Sequence, residues 1–166
     1  IEADDKLNCH IKCGETTFDI MGMAAEDFPE MPTVGSDKTI VIDADIFSEM
    51  VKGTIFAVAQ NEGAKPILTG IYVTIEDRIL RFVAIDGYRL AIRRHNIDIE
   101  GSFSFILSGR AVGEAVKLID EETENVEISF GDRLVSFNIS GYSFISRLLE
   151  GEFVNYQKTI PAEHKQ

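Results

Sequence analysis

Two stretches of this chain follow one plan. TIVIDADIFSEMVKGT (39–54) and SFSFILSGRAVGEAVK (102–117) share a pattern with few identities. Each opens as a strand-like run and passes into apolar residues at helical spacing. Two further segments, GIYVTIEDRILRFVA (70–84) and VEISFGDRLVSFN (126–138), match around a shared Asp-Arg. From Thr39 to about His95 the order is strand, helix, loop and three strands, and from Ser102 to about Leu149 it is the same again. An internal repeat constrains a fold more than any single motif. It predicts an α+β domain of two pseudo-symmetric β-α-β-β-β units around one core, with helices on one side and antiparallel sheets on the other.

Local signals fill in the plan. Strands are expected over 7–12, 16–21, 39–42, 70–76, 79–84, 90–94, 103–107, 126–130, 134–138 and 142–147, with Gly or Asp at several of the intervening turns. Asp43 can cap a helix from about Ala44, whose less polar side carries Ile46, Phe47, Met50, Val51 and Thr54. Ser108 can cap a second helix reaching about Asp120, where Val112, Ala115, Val116 and Ile119 form one stripe.

The N-terminus echoes the end of the repeat. LNCHIKCG (7–14) has the length and rhythm of LVSFNISG (134–141). Both lead to a strand, an acidic-Phe step (Asp27-Phe28, Glu152-Phe153) and a proline (Pro32, Pro161). Residues 1–33 therefore read as the last strands of a preceding copy, 34–161 as one complete domain, and 162–166 as the start of a linker. Thr33–Asp37 would be the earlier linker. A chain opening on Ile fits an excerpt from a longer array.

Chemistry is sparse. Cys9 and Cys13 would lie on one face of a strand as buried or half-buried thiols, a weak metal signal, and no metal or cofactor is expected. His10, His95 and His164 are scattered, and no Gly-rich phosphate loop occurs. Nothing marks an enzyme. The apolar runs are too short for a membrane span, and a cytoplasmic location is the default expectation. A net charge of −12 disfavours simple coating of nucleic acid, unless the few cations gather on one surface.

What remains is binding. AIDGYRLA (84–91) holds an Asp-Gly turn, an aromatic ring and an arginine. Tyr88 and Arg89 are residue types that anchor interfaces. Alternatively Asp86-Gly87 merely makes the turn, Leu90 packs inward and Arg89 pairs with an acid.

AIDGYRLA, KPILTGI (65–71), IFAVA (55–59) and SRLLEGEFVNYQKTIP (146–161) resemble the middle domain of the bacterial DNA polymerase III beta subunit family, the sliding clamps. AAEDFPEMP (24–32) resembles the end of that family's first domain. The resemblance implies a processivity factor without bond chemistry: two three-domain chains joined head to tail as a ring around duplex DNA, helices inside and sheets outside. It places Lys65, Arg110 and Lys117 toward DNA. On the first helix, Lys52 is outnumbered by Asp45 and Glu49. It also implies a hydrophobic pocket where the replicative polymerase, clamp loader and repair polymerases insert a short motif, typically Gln followed by Leu and Phe. Matching positions are Leu68, Gly87, Tyr88, Arg89, Leu90, Val154, Lys158 and Thr159. Ile85 stands where the family usually has Thr, and FVNY replaces the common FPDY, so Val154 and Asn155 depart from the pattern. Lys158 and Thr159 stand where Arg and an aliphatic residue are frequent. An excerpt of this kind is expected neither to close a ring nor to bind partner peptide well. The rival readings are a small-ligand or enzymatic domain, or a purely structural repeat, on the same scaffold.

Overall fold

The computed structural model describes residues 1–35, 38–60 and 63–160. The expected linker residues Ser36 and Asp37, and everything from Pro161 onward, lie outside them. The chain divides into two compact units, Ile1–Thr33 and Val34–Gln166.

The larger unit carries the repeat. Its first half contains β4 (Thr39–Asp43), α1 (Ala44–Lys52), β5 (Gly70–Glu76), β6 (Ile79–Ile85) and β7 (Leu90–Asn96). Its second half contains β8 (Phe103–Ser108), α2 (Gly109–Lys117), β9 (Asn125–Phe130), β10 (Leu134–Ile139) and β11 (Tyr142–Arg147). The halves exchange their first strands. One sheet has the order β7-β6-β5-β8 and the other β11-β10-β9-β4, all antiparallel. Each sheet therefore needs both halves, and neither half can complete its sheet alone.

The helices pack beside each other, against the inner faces of both sheets. Phe47 of α1 is fully buried and joins the layers: its ring lies 6.1 Å from Phe82 in one sheet and 6.0 Å from Phe137 in the other. Burying such a ring contributes about 1.5–3 kcal/mol. Asp43 caps α1, its Oδ1 accepting from the amides of Asp45 (3.0 Å) and Ile46 (3.2 Å). Ser108 holds the cap position of α2 but makes no side-chain cap bond. The second helix also stops at Lys117, short of the expected Asp120, because the amides of Leu118 and Ile119 tighten onto the carbonyls three residues back.

The smaller unit is a three-stranded meander of β1 (Glu2–Ala3), β2 (Asn8–Cys13) and β3 (Thr16–Met21). Register sets Cys9 against Ile20, Ile11 against Phe18 and Cys13 against Thr16, so one face is largely apolar. Phe18 and Ile20 are exposed on it. Cys9 is half-buried as expected, but Cys13 is exposed, because it ends the strand beside the turn. The echo between 7–14 and 134–141 also shifts by one residue in the structure. Gly14 takes the first turn position with φ +60°, whereas Gly141 takes the second, after Ser140 at φ +45°. The two turn types place glycine differently. Cys13 therefore corresponds to Ile139, and Ile11 to Phe137. A one-residue slip exchanges the two faces of a strand, so this offset decides which side of β2 is the core side.

No helix among the described residues is long and apolar enough to cross a membrane.

Candidate functional site

The turn between β6 and β7 spans Asp86–Arg89, closed by the Ile85–Leu90 pair and by the Asp86 amide donating to the Arg89 carbonyl at 3.2 Å. Gly87 supplies the left-handed residue at φ +93°, which favours glycine. The Asp86 carboxylate organises everything else. Its Oδ1 accepts from the amides of Tyr88 (2.9 Å) and Arg89 (2.8 Å). Its Oδ2 accepts from Arg89 Nε (2.9 Å) and Nη2 (2.7 Å). The Tyr88 amide, then the Arg89 guanidinium, hold the Asp86 carboxyl at about 2, below its usual 3.8. Of the two readings of this turn, the ion pair is thus present: Arg89 binds an acid of its own turn. Tyr88, by contrast, is 96% exposed.

Beside the turn lies the 3-10 helix Pro66–Thr69, which proline starts well and the Thr69 hydroxyl closes by donating to the Pro66 carbonyl at 2.7 Å. The Ala59 amide donates to the Leu68 carbonyl at 2.8 Å, tying this helix to the segment after α1. Together they form a cleft of about 420 Å³ whose walls include Leu68, Tyr88, Arg89, Asp86, Ala59 and Gln60. The structure thus brings Leu68, Tyr88 and Arg89 together around one cavity, with Gly87 in the same turn. Leu90 is half-buried at the start of β7 and does not line that cavity.

Val154, Lys158 and Thr159 belong to a strap that follows β11. Its Leu149 amide donates to the Ile106 carbonyl at 2.9 Å, and Phe153 stacks on Tyr72 with ring centroids 4.7 Å apart. Tyr72 and Ile106 share a row with Val83 and Ile92 on the outer face of their sheet, so the strap lies over that face. Val154 is half-buried, while Lys158 and Thr159 are exposed in a closing 3-10 turn, Tyr156–Thr159. These three do not line the cleft of the turn.

The cations sit differently from one another. Arg110 and Lys117 are exposed on α2, with Glu114 between them at helical spacing. Lys117 Nζ donates to Glu114 Oε1 at 2.9 Å, and that hydrogen bond lowers the Glu114 carboxyl below its usual range. The matching stripe of α1 is Asp45, Glu49 and Lys52, with Glu49 3.5 Å from Arg93 of β7. Lys65 is exposed just before the 3-10 helix. Arg110 lines a second cleft, of about 510 Å³, that shares Ala59 and Gln60 with the first. Sequence reasoning missed Asp86 as an organiser and Ala59 and Gln60 as cleft walls. An Asp two residues before a turn amide and three before an arginine is a readable signal for the first; the cleft walls carry none.

The pattern describing the DNA polymerase III beta subunit, central domain, matches residues 41–155. The chain belongs to the DNA polymerase III beta subunit family. The beta sliding clamp of Bacillus subtilis is 30% identical over 99% of this chain and 44% of its own length. That of Halalkalibacterium halodurans is 31% identical over the same shares. The chain thus spans less than half the length of these curated sliding clamps. Among solved structures, the DNA polymerase sliding clamp from Bacillus subtilis superposes with a TM-score of 0.88 at 30% identity, over 98% of this chain and 43% of that one. A putative DNA polymerase III beta subunit from Eubacterium rectale gives 0.86 at 27% identity, over 98% and 45%. The pseudo-symmetric α+β domain expected from the repeat and the clamp fold implied by the resemblance are what is observed, the larger unit placing α1 and α2 over two antiparallel sheets among the described residues.

Proposed function

We propose that the full-length protein is a non-catalytic processivity factor, a head-to-tail homodimeric ring that encircles duplex DNA and holds polymerase on it. The observation that carries this reading is the pair of adjacent helices over one shared core, each with an exposed charged stripe, in a chain of the sliding-clamp family. The α1 stripe nets one negative charge and the α2 stripe one positive, against −12 for the whole chain. A near-neutral helical side on an acidic protein suits passage over phosphate without tight attachment. Arg110 and Lys65 are the phosphate contacts, and Lys117 contributes less because Glu114 already pairs it. Such contacts are blind to sequence and weaken with salt.

Residues 1–33 serve, in this reading, as the closing strands of a preceding domain. Cys9, Ile11 and Cys13 correspond to Val135, Phe137 and Ile139, which are buried in the larger unit. Their apolar face is half of a core whose other half lies in that domain.

The second proposed activity is docking. Leu68, Tyr88 and Leu90, with Val154 and the exposed Lys158 and Thr159 of the strap, take a short partner motif of the Gln-Leu-Phe kind. The replicative polymerase, clamp loader and repair polymerases are the partners, in the cytoplasm where the chromosome is copied. Ile85, Val154 and Asn155 tune its preference.

Topology tests the ring. Full-length protein loaded onto nicked circular DNA should stay with it through gel filtration at high salt and leave once the circle is cut. Equal loss from circular and linear DNA would overturn the encircling reading.

A further inference from the structure

The docking reading leaves open which side chain of the turn a partner meets, and the inference below rests on that reading. We infer that Asp86 is a positioning residue: it ties down Arg89 and stiffens the turn, so that the ring of Tyr88, and not the Arg89 guanidinium, is the group presented to a docked peptide.

The geometry is one-sided. Both Asp86 oxygens are engaged, one by two amides and the other by the side edge of the guanidinium. The Asp86 side chain is only 12% exposed and that of Arg89 56%, so the charge of Arg89 is met within its own turn. Charge-assisted, two-point bonds of this kind are among the stronger ones in proteins. With the Nε edge taken, a partner carboxylate could reach only the Nη1 end of the guanidinium, whose charge Asp86 already offsets. The depressed Asp86 carboxyl agrees, since its ionised form is the one the turn holds.

Tyr88 meets the opposite condition. Its amide is fixed by Asp86, while its ring stands free at the wall of the cleft opposite no partner among the described residues. A tyrosine has few rotatable bonds, so ordering it on a stiff turn costs little entropy for a large contact area. The peptide that fits is one with an apolar or aromatic side chain to lay between Tyr88 and Leu68, and it needs no carboxylate opposite Arg89.

The test uses full-length protein, a fluorescent Gln-Leu-Phe peptide, and a second peptide with an added aspartate. Tyr88→Ala should weaken the first peptide about tenfold or more, the scale of an aromatic anchor. The Arg89 Nε proton should stay resolved in that variant's NMR spectrum. Asp86→Ala and Arg89→Ala should each weaken binding by less, and the double variant should be no worse than the worse single, because both remove one lock. Asp86→Asn should keep the two amide bonds, lose the slowly exchanging Arg89 Nε signal, and bind the aspartate peptide better than wild type does. The inference is overturned if Arg89→Ala costs more than Tyr88→Ala while the turn amides stay protected, or if the Nε signal survives in Asp86→Asn. Failure of the wild type to bind either peptide would remove the docking reading instead, and the Nε signal would still decide the lock.

Discussion

The two sheets of the larger unit bury the same kind of surface and expose different ones. Inside, Phe82–Val73–Phe105 on one sheet faces the same helices as Phe144–Phe137–Ile128–Ile40 on the other. Outside, the first sheet carries the row Ile92–Val83–Tyr72–Ile106, with Val83 and Ile106 buried. The equivalent surface of the second carries Thr39–Ser129–Ser136 and Val41–Glu127–Asn138–Ser143. Connections differ too. The first half links helix to strand by residues 53–69, long enough for the 3-10 helix that bears Leu68, while the second uses only 118–124. The β6–β7 turn is Asp86–Arg89, but its counterpart is the two-residue Ser140-Gly141. The repeat constrains what each half buries. The cleft beside the Asp86–Arg89 turn comes from connections that only one half possesses.

The largest effects should fall on the shared core, equally in both halves. Phe82→Ala and Phe137→Ala should each cost about 3–5 kcal/mol in denaturant unfolding of the full-length protein, since both rings are fully buried against Phe47. A cost confined to one half would break the claim of a single core. On the outer faces the two sheets should part. Tyr72→Ala removes the Phe153 stack, worth about 0.5–1.5 kcal/mol beyond area, and should loosen the strap in amide exchange. Ser136→Ala on the other sheet should stay within about 0.5 kcal/mol of wild type.

Charge changes sharpen the comparison of the two helices. Glu114→Gln frees Lys117 and should steepen the salt dependence of DNA association, whereas Arg110→Ala should flatten it by about one unit of slope. The smallest expected effect is that of acid on the turn. The Asp86 carboxyl is lowered from 3.8 to about 2, so its contribution is complete above 3.8 and disappears as pH falls through 2. Tyr88 and Arg89 amide shifts followed from pH 5 downward should move in that window, while those of Ser140-Gly141 need not follow.

Much of this was legible in the sequence. Strands 16–21, 70–76 and 142–147 are found where their alternation puts them, and Asp43 caps the helix it precedes. The exchange of β4 and β8 between sheets was not legible, because alternation reports which face is buried and not which strand lies alongside. The repeated Asp-Arg hides a further difference. Asp77 and Arg78 both take positive φ in a two-residue turn, whereas Asp132 and Arg133 share a longer one with Gly131. Of the candidate site, the motif located the turn, but the carboxylate that holds Arg89 depends on side-chain geometry that spacing alone does not fix.

The measurement that bears most directly on one-sided docking is hydrogen exchange of the full-length protein with and without the Gln-Leu-Phe peptide. Protection should rise over 66–69, 86–90 and 153–159 and stay unchanged over 127–145. Equal protection of both sheets, or protection confined to 127–145, would contradict it.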